Sequence, residues 1–251
     1  MRIASLAPSV TEIIYELGAE QDIVCSTVFC DYPEPAKSLP KIGSWTTIDI
    51  KKLESLNPDI VLTSSAVQGN LTRKLRDLGM NVVNINPMRL PEVVESYNQI
   101  GALVERRQEA ENIVRELYKK IMAYTVTAQN SGPRVYCEEW SDPPMASGNW
   151  VPDVVELAGG VPGVVKAGHL SREYRLEDLQ SFEPEIILLH ICGMGDRVKV
   201  EEVMQRPGWE ILPAIQSGEV HVLDDSLLNR PTRRLFKGLE TLKEIIGNFK
   251  R

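Results

Sequence analysis

The aromatic and turn-forming residues of this chain gather in a few short segments, which carry most of its chemical potential. Tyr32 stands in Cys30-Asp31-Tyr32-Pro33, Trp45 in Gly43-Ser44-Trp45, Trp140 in Trp140-Ser141-Asp142-Pro143-Pro144, and Trp150 in Gly148-Asn149-Trp150. Trp and Tyr offer broad flat faces with a polar edge, which suits stacking on a planar or macrocyclic ligand. Neighbouring glycines let a backbone come close. Toward the C-terminus, Asn229-Arg230-Pro231 is followed by Arg233, Arg234 and Lys237. Guanidinium groups there would hydrogen-bond amide, carboxylate or phosphate substituents. The expectation is that Tyr32, Trp45, Trp140 and Trp150 stack on a flat ligand, with Arg230 and Arg233 at its rim. Trp209, led in by Arg206-Pro207-Gly208, reads instead as a turn into a helix.

Catalytic constellations are sparse. The chain has no G-x-S-x-G elbow, no P-loop, no H-E-x-x-H and no G-x-G-x-x-G after a strand. His190 and His221 lie in apolar, strand-like runs, where a satisfied core histidine is expected, and His169 follows Gly168 in a loop. Cys30, Cys192 and His169 are of types that bind a soft metal, but no spacing supports such a site and no metal ligand is predicted. Asp31 and Asp142 fall in proline-containing loops and read as turn formers. Binding is therefore expected rather than catalysis, with no catalytic residue and no catalytic cofactor.

Something must hold those loops in place. Ile3 to Leu6, Ile23 to Ser26, Asp59 to Thr63 and Asn81 to Ile85 read as strands separated by stretches of helical spacing. Ser9 and Glu12 form a capping-box pattern that opens a helix at Val10 and ends near Gly18. From Pro91 the apolar residues repeat at three and four, with a break around Gly101 to Arg107 and a long helix from Arg107 to Ala128. After the turn-forming Asn130-Ser131-Gly132-Pro133, a second series starts at Arg134 to Glu138.

The second series repeats the first. Leu53-Glu54-Ser55-Leu56-Asn57-Pro58-Asp59-Ile60-Val61-Leu62 aligns without gaps on Leu179-Gln180-Ser181-Phe182-Glu183-Pro184-Glu185-Ile186-Ile187-Leu188. Glu16-Leu17-Gly18 has its counterpart in Glu156-Leu157-Ala158-Gly159, and Gly79 before Val82 has one in Gly218 before Val220. The predicted fold is α/β: two Rossmann-like lobes, 1–90 and 131–251, joined by a helical linker, 91–130, with a ligand cleft between the lobes. Ligands of open α/β sheets bind outside the carboxyl ends of the strands, so function is expected in the post-strand loops.

Composition removes several classes. With 28 Lys and Arg against 35 Asp and Glu, the chain lacks the basic surplus that phosphate neutralisation demands, and no nucleic-acid partner is expected. Its apolar runs fall far short of the roughly 20 residues that span a bilayer, so the protein is not membrane-embedded. Met1-Arg2 leads straight into a strand without an export signal, which predicts a cytoplasmic protein; a chain already trimmed of its signal would read the same and would be periplasmic or extracytoplasmic. The four cysteines have no paired spacing and are expected as free thiols. A monomer is expected.

An ordered set of motifs resembles a known family. Arg2-Ile3-Ala4-Ser5-Leu6-Ala7-Pro8-Ser9-Val10-Thr11-Glu12, Cys30 to Pro33, Leu56 to Ile60, Trp140 with Asp142-Pro143-Pro144, Gly148 to Pro152, Glu156 to Gly160, Arg206 to Trp209 and Asn229 to Pro231 are similar to class III periplasmic binding proteins. Within that helical-backbone group the likeness is to the cobalamin and iron-siderophore branch. The resemblance spans nearly the whole chain. It implies that Tyr32, Trp45 and the loop from Asp225 to Arg230, with Ser226, Leu227 and Asn229, face a corrinoid or other metal chelate. It also implies a substrate-binding component of an ABC uptake system, with a permease partner, or a cytosolic carrier. Two features depart from the family pattern. Thr232-Arg233-Arg234 follows Asn-Arg-Pro where Gly-Pro-Arg is usual, and Gln68-Gly69-Asn70 has no acidic residue where permease docking would place one. The alternatives are an enzyme acting on a corrinoid or metal-bearing compound in the same cleft, and a metal-ion binding protein.

Overall fold

The computed structural model describes residues 1–127 and 132–250. Ala128 and the Asn130-Ser131 turn lie outside the described residues. Two compact units emerge, Met1–Pro87 with Val94–Glu116, and Met88–Val93 with Leu117–Arg251. The helical stretch predicted as a linker is divided between them.

The first unit holds β1 (Ile3–Ser5), α1 (Pro8–Glu16), β2 (Ile23–Ser26), α2 (Ile50–Ser55), β3 (Ile60–Ser64), α3 (Gly69–Asp77) and β4 (Val82–Ile85). The strands form one parallel sheet in the order β2-β1-β3-β4. All of β3 is buried, as expected of a parallel strand covered on both faces. Ala4, Leu6, Cys25, Leu53, Val61 and Leu75 form the centre of its core. The Ser9 capping box does not form. Pro8 occupies the first turn with Ala7 as the cap, and Ser9 lies inside the helix without a capping bond. Proline's fixed φ and missing N–H suit that opening position, so the helix starts two residues early.

Two helices follow, α4 (Leu90–Leu103) and α5 (Arg107–Thr127). The break between them falls where the periodicity predicted it. Glu105 takes φ +58 there. At Gly101 a Cβ would lie 2.5 Å from the Ala110 Cβ, so only glycine lets the two helices meet this closely.

The second unit contains β5 (Arg134–Ser141), β6 (Pro144–Ala146), α6 (Val151–Ala158), β7 (Val161–Pro162), β8 (Arg172–Glu173), α7 (Leu176–Phe182), β9 (Ile186–Leu189), α8 (Val200–Met204), α9 (Pro213–Ser217), β10 (Val220–Val222) and α10 (Leu235–Asn248). Its sheet runs β10-β9-β5-β6-β8, and β7 pairs with β5. Strands β5, β9 and β10 are parallel, whereas β6 and β8 are antiparallel additions. Asp142 and Pro143 make the turn between β5 and β6.

The sequence repeat has a geometric counterpart. Asn57 and Glu183 leave α2 and α7 with φ +44 and +48, each followed by proline and then a buried strand. Gly79 and Gly218 occupy the same region ahead of β4 and β10, at φ +82 and +74. Left-handed exit followed by proline stops a helix and redirects the chain into the sheet.

Candidate ligand-binding site

Because β1 to β4 are parallel, their carboxyl ends and the loops that follow share one edge of the first sheet. Cys30 is buried in the loop after β2, its sulfur 3.3 Å from Thr27 Oγ1. Lys41 ties that loop down from beneath: its Nζ donates to Ser26 Oγ at 2.9 Å and to the carbonyls of Cys30 and Ala36, each at 2.8 Å. Burial lowers the Lys41 pKa. With its base held, the loop turns large side chains outward, Val28, Phe29 and Tyr32 being 54%, 53% and 45% exposed.

Gln68, fully buried after β3, is the hub of this edge. Its Nε2 donates to Leu6 O at 2.9 Å and Trp45 O at 2.6 Å, while its Oε1 accepts from Ser64 N at 2.6 Å. It thus joins the ends of β1 and β3 to the Trp45 loop. Trp45 is half-buried, and its indole N–H is buried with no partner among the described residues. Val67, beside Gln68, is exposed.

The second unit has a corresponding edge at the ends of β5, β9 and β10. His190, fully buried just after β9, stands between two partners: Nε2 is 2.8 Å from Ser147 Oγ and Nδ1 is 2.5 Å from Asn229 Oδ1. Since Asn229 Nδ2 already donates to His190 O at 3.1 Å, its Oδ1 accepts, which puts the ring proton on Nδ1 and makes Ser147 the donor to Nε2. Burial pushes the His190 pKa down to about 4. The ring is therefore neutral and anchors the loop before α10. The serine–histidine–asparagine order resembles a nucleophile with its base, but Ser147 is itself buried and offers its hydroxyl to the ring alone.

Around this anchor, Asp225 accepts from Gly193 N at 3.0 Å and Gly195 N at 2.9 Å, closing the loop that presents Met194. Burial raises the Glu139 pKa against an opposing hydrogen bond from Ser171. Cys192 is exposed, and partial burial of its thiol with the nearby Asp225 and Glu139 carboxylates raises its pKa.

The predicted binding residues fall into two groups. Tyr32, Trp140 and Arg233 are exposed, and Trp45, Asn229 and Arg230 half-buried, so each keeps surface at its strand-end edge. Trp140 is 46% exposed, with its indole N–H on Asp142 O at 3.0 Å. Trp150 is only 8% exposed and donates to Leu228 O at 2.8 Å, so its ring faces are taken up by packing. Ser226 and Leu227 are likewise buried, Ser226 bridging Asp224 at 2.5 Å and Arg234 at 2.6 Å. Against burial, these Ser226 hydrogen bonds hold the Asp224 carboxyl below its usual range.

Trp209 is core, edge-on to Tyr136, with the Arg206 guanidinium over its ring at 4.7 Å. Arg206 also grips the fully buried Glu138 with bonds of 2.7 and 2.8 Å. The Arg206-Pro207-Gly208-Trp209 motif therefore builds the core. Cys25, Cys30 and Cys137 are buried free thiols, and Cys192 is free as well. No group of three or more His, Cys, Asp or Glu side chains suited to a metal ion occurs among the described residues. His169 is exposed in its loop, and His221 in β10 pairs with Glu219 at 2.8 Å.

A family model described as periplasmic binding protein matches residues 3–227. The chain belongs to this family. A vitamin B12-binding protein of Vibrio cholerae serotype O1 is 27% identical over 247 residues, covering 95% of this chain and 86% of the relative. An uncharacterised ABC transporter substrate-binding lipoprotein of Bacillus subtilis is 27% identical over 255 residues, with 98% and 79% covered. Among solved structures, a possible iron-binding (periplasmic solute-binding) protein from Staphylococcus epidermidis superimposes with a TM-score of 0.79 at 25% identity, over 98% of each chain. The family is one of substrate-binding proteins, and the role of this chain is to bind a ligand. No helix among the described residues is long and apolar enough to cross a membrane.

Proposed function

We propose that the protein binds a corrinoid or another flat metal chelate through the strand-end loops of its units, as the substrate-binding component of an ABC uptake system working outside the cytoplasm with a permease partner. The observation that carries this reading is the exposure of Val28, Phe29, Tyr32 and Val67 at one sheet edge and of Trp140 and Met194 at the other. Large apolar side chains gathered in this way mark contact surfaces. The vitamin B12-binding and iron-binding relatives supply the chemical class. The half-buried Trp45 ring offers its remaining exposed face to the ligand, and Arg230 and Arg233 meet polar substituents.

Calorimetric titration with cyanocobalamin, cobinamide, haem and a ferric siderophore tests this. One of the four binds, and Trp45→Ala and Trp140→Ala each weaken it about tenfold, since a stacked ring contributes about 0.5–1.5 kcal/mol beyond its area. Tight binding untouched by either substitution would place the ligand elsewhere. Binding of none would remove the chelate class.

A further inference from the structure

The second unit contains a cavity of about 540 Å³ that uses none of the strand-end loops described above. Its apolar wall includes Val164, Val165 and Phe182, and three charged side chains face it: Arg89, Glu156 and Lys166. A space of this size is within the range that holds small molecules.

The cationic side is built. Arg89 donates to Asp153 through Nε at 3.0 and 2.9 Å and through Nη2 at 2.6 Å. Its stem lies against Gly168, where even a Cβ would come within 3.0 Å of Arg89 Cδ. Held on two sides, the guanidinium keeps in reserve its Nη1, whose two N–H donors meet no acceptor among the described residues. Lys166 is exposed, and its Nζ meets no acceptor among the described residues either. Glu156 occupies the place in the sequence repeat taken by Glu16 in the first unit. Glu16 accepts from Tyr97 Oη at 2.8 Å, whereas the Glu156 carboxylate accepts no hydrogen bond among the described residues and acts on Arg89 through its charge.

The apolar side is strained into place. Val164 holds φ +72, a region that β-branched residues almost never enter. At Gly163 a Cβ would overlap the Phe182 ring, so glycine is what allows that ring to close the wall. Backbone outliers of this kind are found where surrounding structure shapes a ligand clamp.

We infer that this cavity is a second binding site, for a small apolar monocarboxylate, with the carboxylate on Arg89 and Lys166 and the hydrocarbon body against Val165 and Phe182. Glu156 opposes a dianion such as phosphate and accepts from an ammonium group if the ligand carries one. The free amino acid leucine and phenylacetate are the probes, with inorganic phosphate as the oxyanion lacking an apolar body.

The test is a two-dimensional NMR titration of the full chain. Saturating shifts at residues 163–168 and at Phe182 are expected with phenylacetate or leucine at millimolar concentrations, and none with phosphate. Ala167→Trp, which puts an indole into the cavity from its lining, abolishes the shifts. Lys166→Glu weakens binding about tenfold, the scale of reversing one exposed charge pair. Both variants should melt like the parent; Arg89 is left intact because the nearly buried Asp153 depends on it. Absence of saturable shifts with both carboxylates, equal binding of phosphate, or shifts that persist in both variants would each overturn the assignment. Chelate binding at the strand-end loops is read separately and stands or falls on its own.

Discussion

At the scale of single residues, the strand-end edges depend on a few buried polar groups that position exposed ones. His190 is the clearest case. Its ordinary pKa is about 6.5, and in the fold it is pushed down to about 4 by burial. Between those values the unfolded chain carries a proton that the folded chain does not. Stability is therefore complete above about pH 6.5 and declines as pH falls toward 4, by about 3 kcal/mol in all. Thermal melts across that window should show the decline, and His190→Gln, which keeps a hydrogen-bonding side chain without the titration, should flatten it. An unchanged slope would mean that other groups carry the acid sensitivity. Turn residues beside Tyr32 and Trp140 pointed to the surface, and both side chains are exposed, Tyr32 in the loop after β2 and Trp140 near the end of β5. Lys41, Gln68 and His190 were not readable as anchors. Their partners stand between 4 and 62 positions away, and nothing local in their segments marks them. Trp150 shows the converse: beside Gly148 and Asn149 it looks like a loop aromatic, yet it caps α6 and turns inward onto Leu228.

At the scale of elements, the ten-residue repeat was legible because the physics it encodes is local. A helix that must stop and feed a buried strand needs a left-handed residue and then a proline, and Asn57-Pro58 and Glu183-Pro184 both do this. The two are not equal. Asparagine tolerates the left-handed region, whereas a longer side chain pays a conformational cost of about 1 kcal/mol there. Glu183→Asn should accordingly stabilise the protein by about 0.5–1 kcal/mol in chemical denaturation. A loss instead would show that the Arg134 contact at 3.8 Å outweighs the backbone term. The capping box at Ser9 misled for an equally local reason. Two start signals overlapped, and Pro8, with its preset backbone, won over the side-chain cap. The antiparallel β6 and β8 were not foreseen, since two- and three-residue strands carry too little alternation to register as a pattern.

At the scale of the whole molecule, each unit has its own core, one built around Leu53, Val61 and Leu75 and the other around Tyr136, Leu179 and Ile187. Leu75→Ala should cost about 2–5 kcal/mol. Hydrogen exchange should then show protection lost in β1 to β4 while β5, β9 and β10 keep theirs; equal loss in both would mean that the units open together. The membership of Met88–Val93 in the second unit has a consequence for biosynthesis. Arg89 leaves the ribosome long before Asp153, the carboxylate to which it belongs, and the residues from Val94 to Glu116 that follow it belong to the first unit. The second unit therefore cannot be finished by the contiguous fragment beginning at Leu117. A single cut of the gene there severs Arg89 from a carboxylate only 9% exposed, and the two halves could restore it only by reassociating.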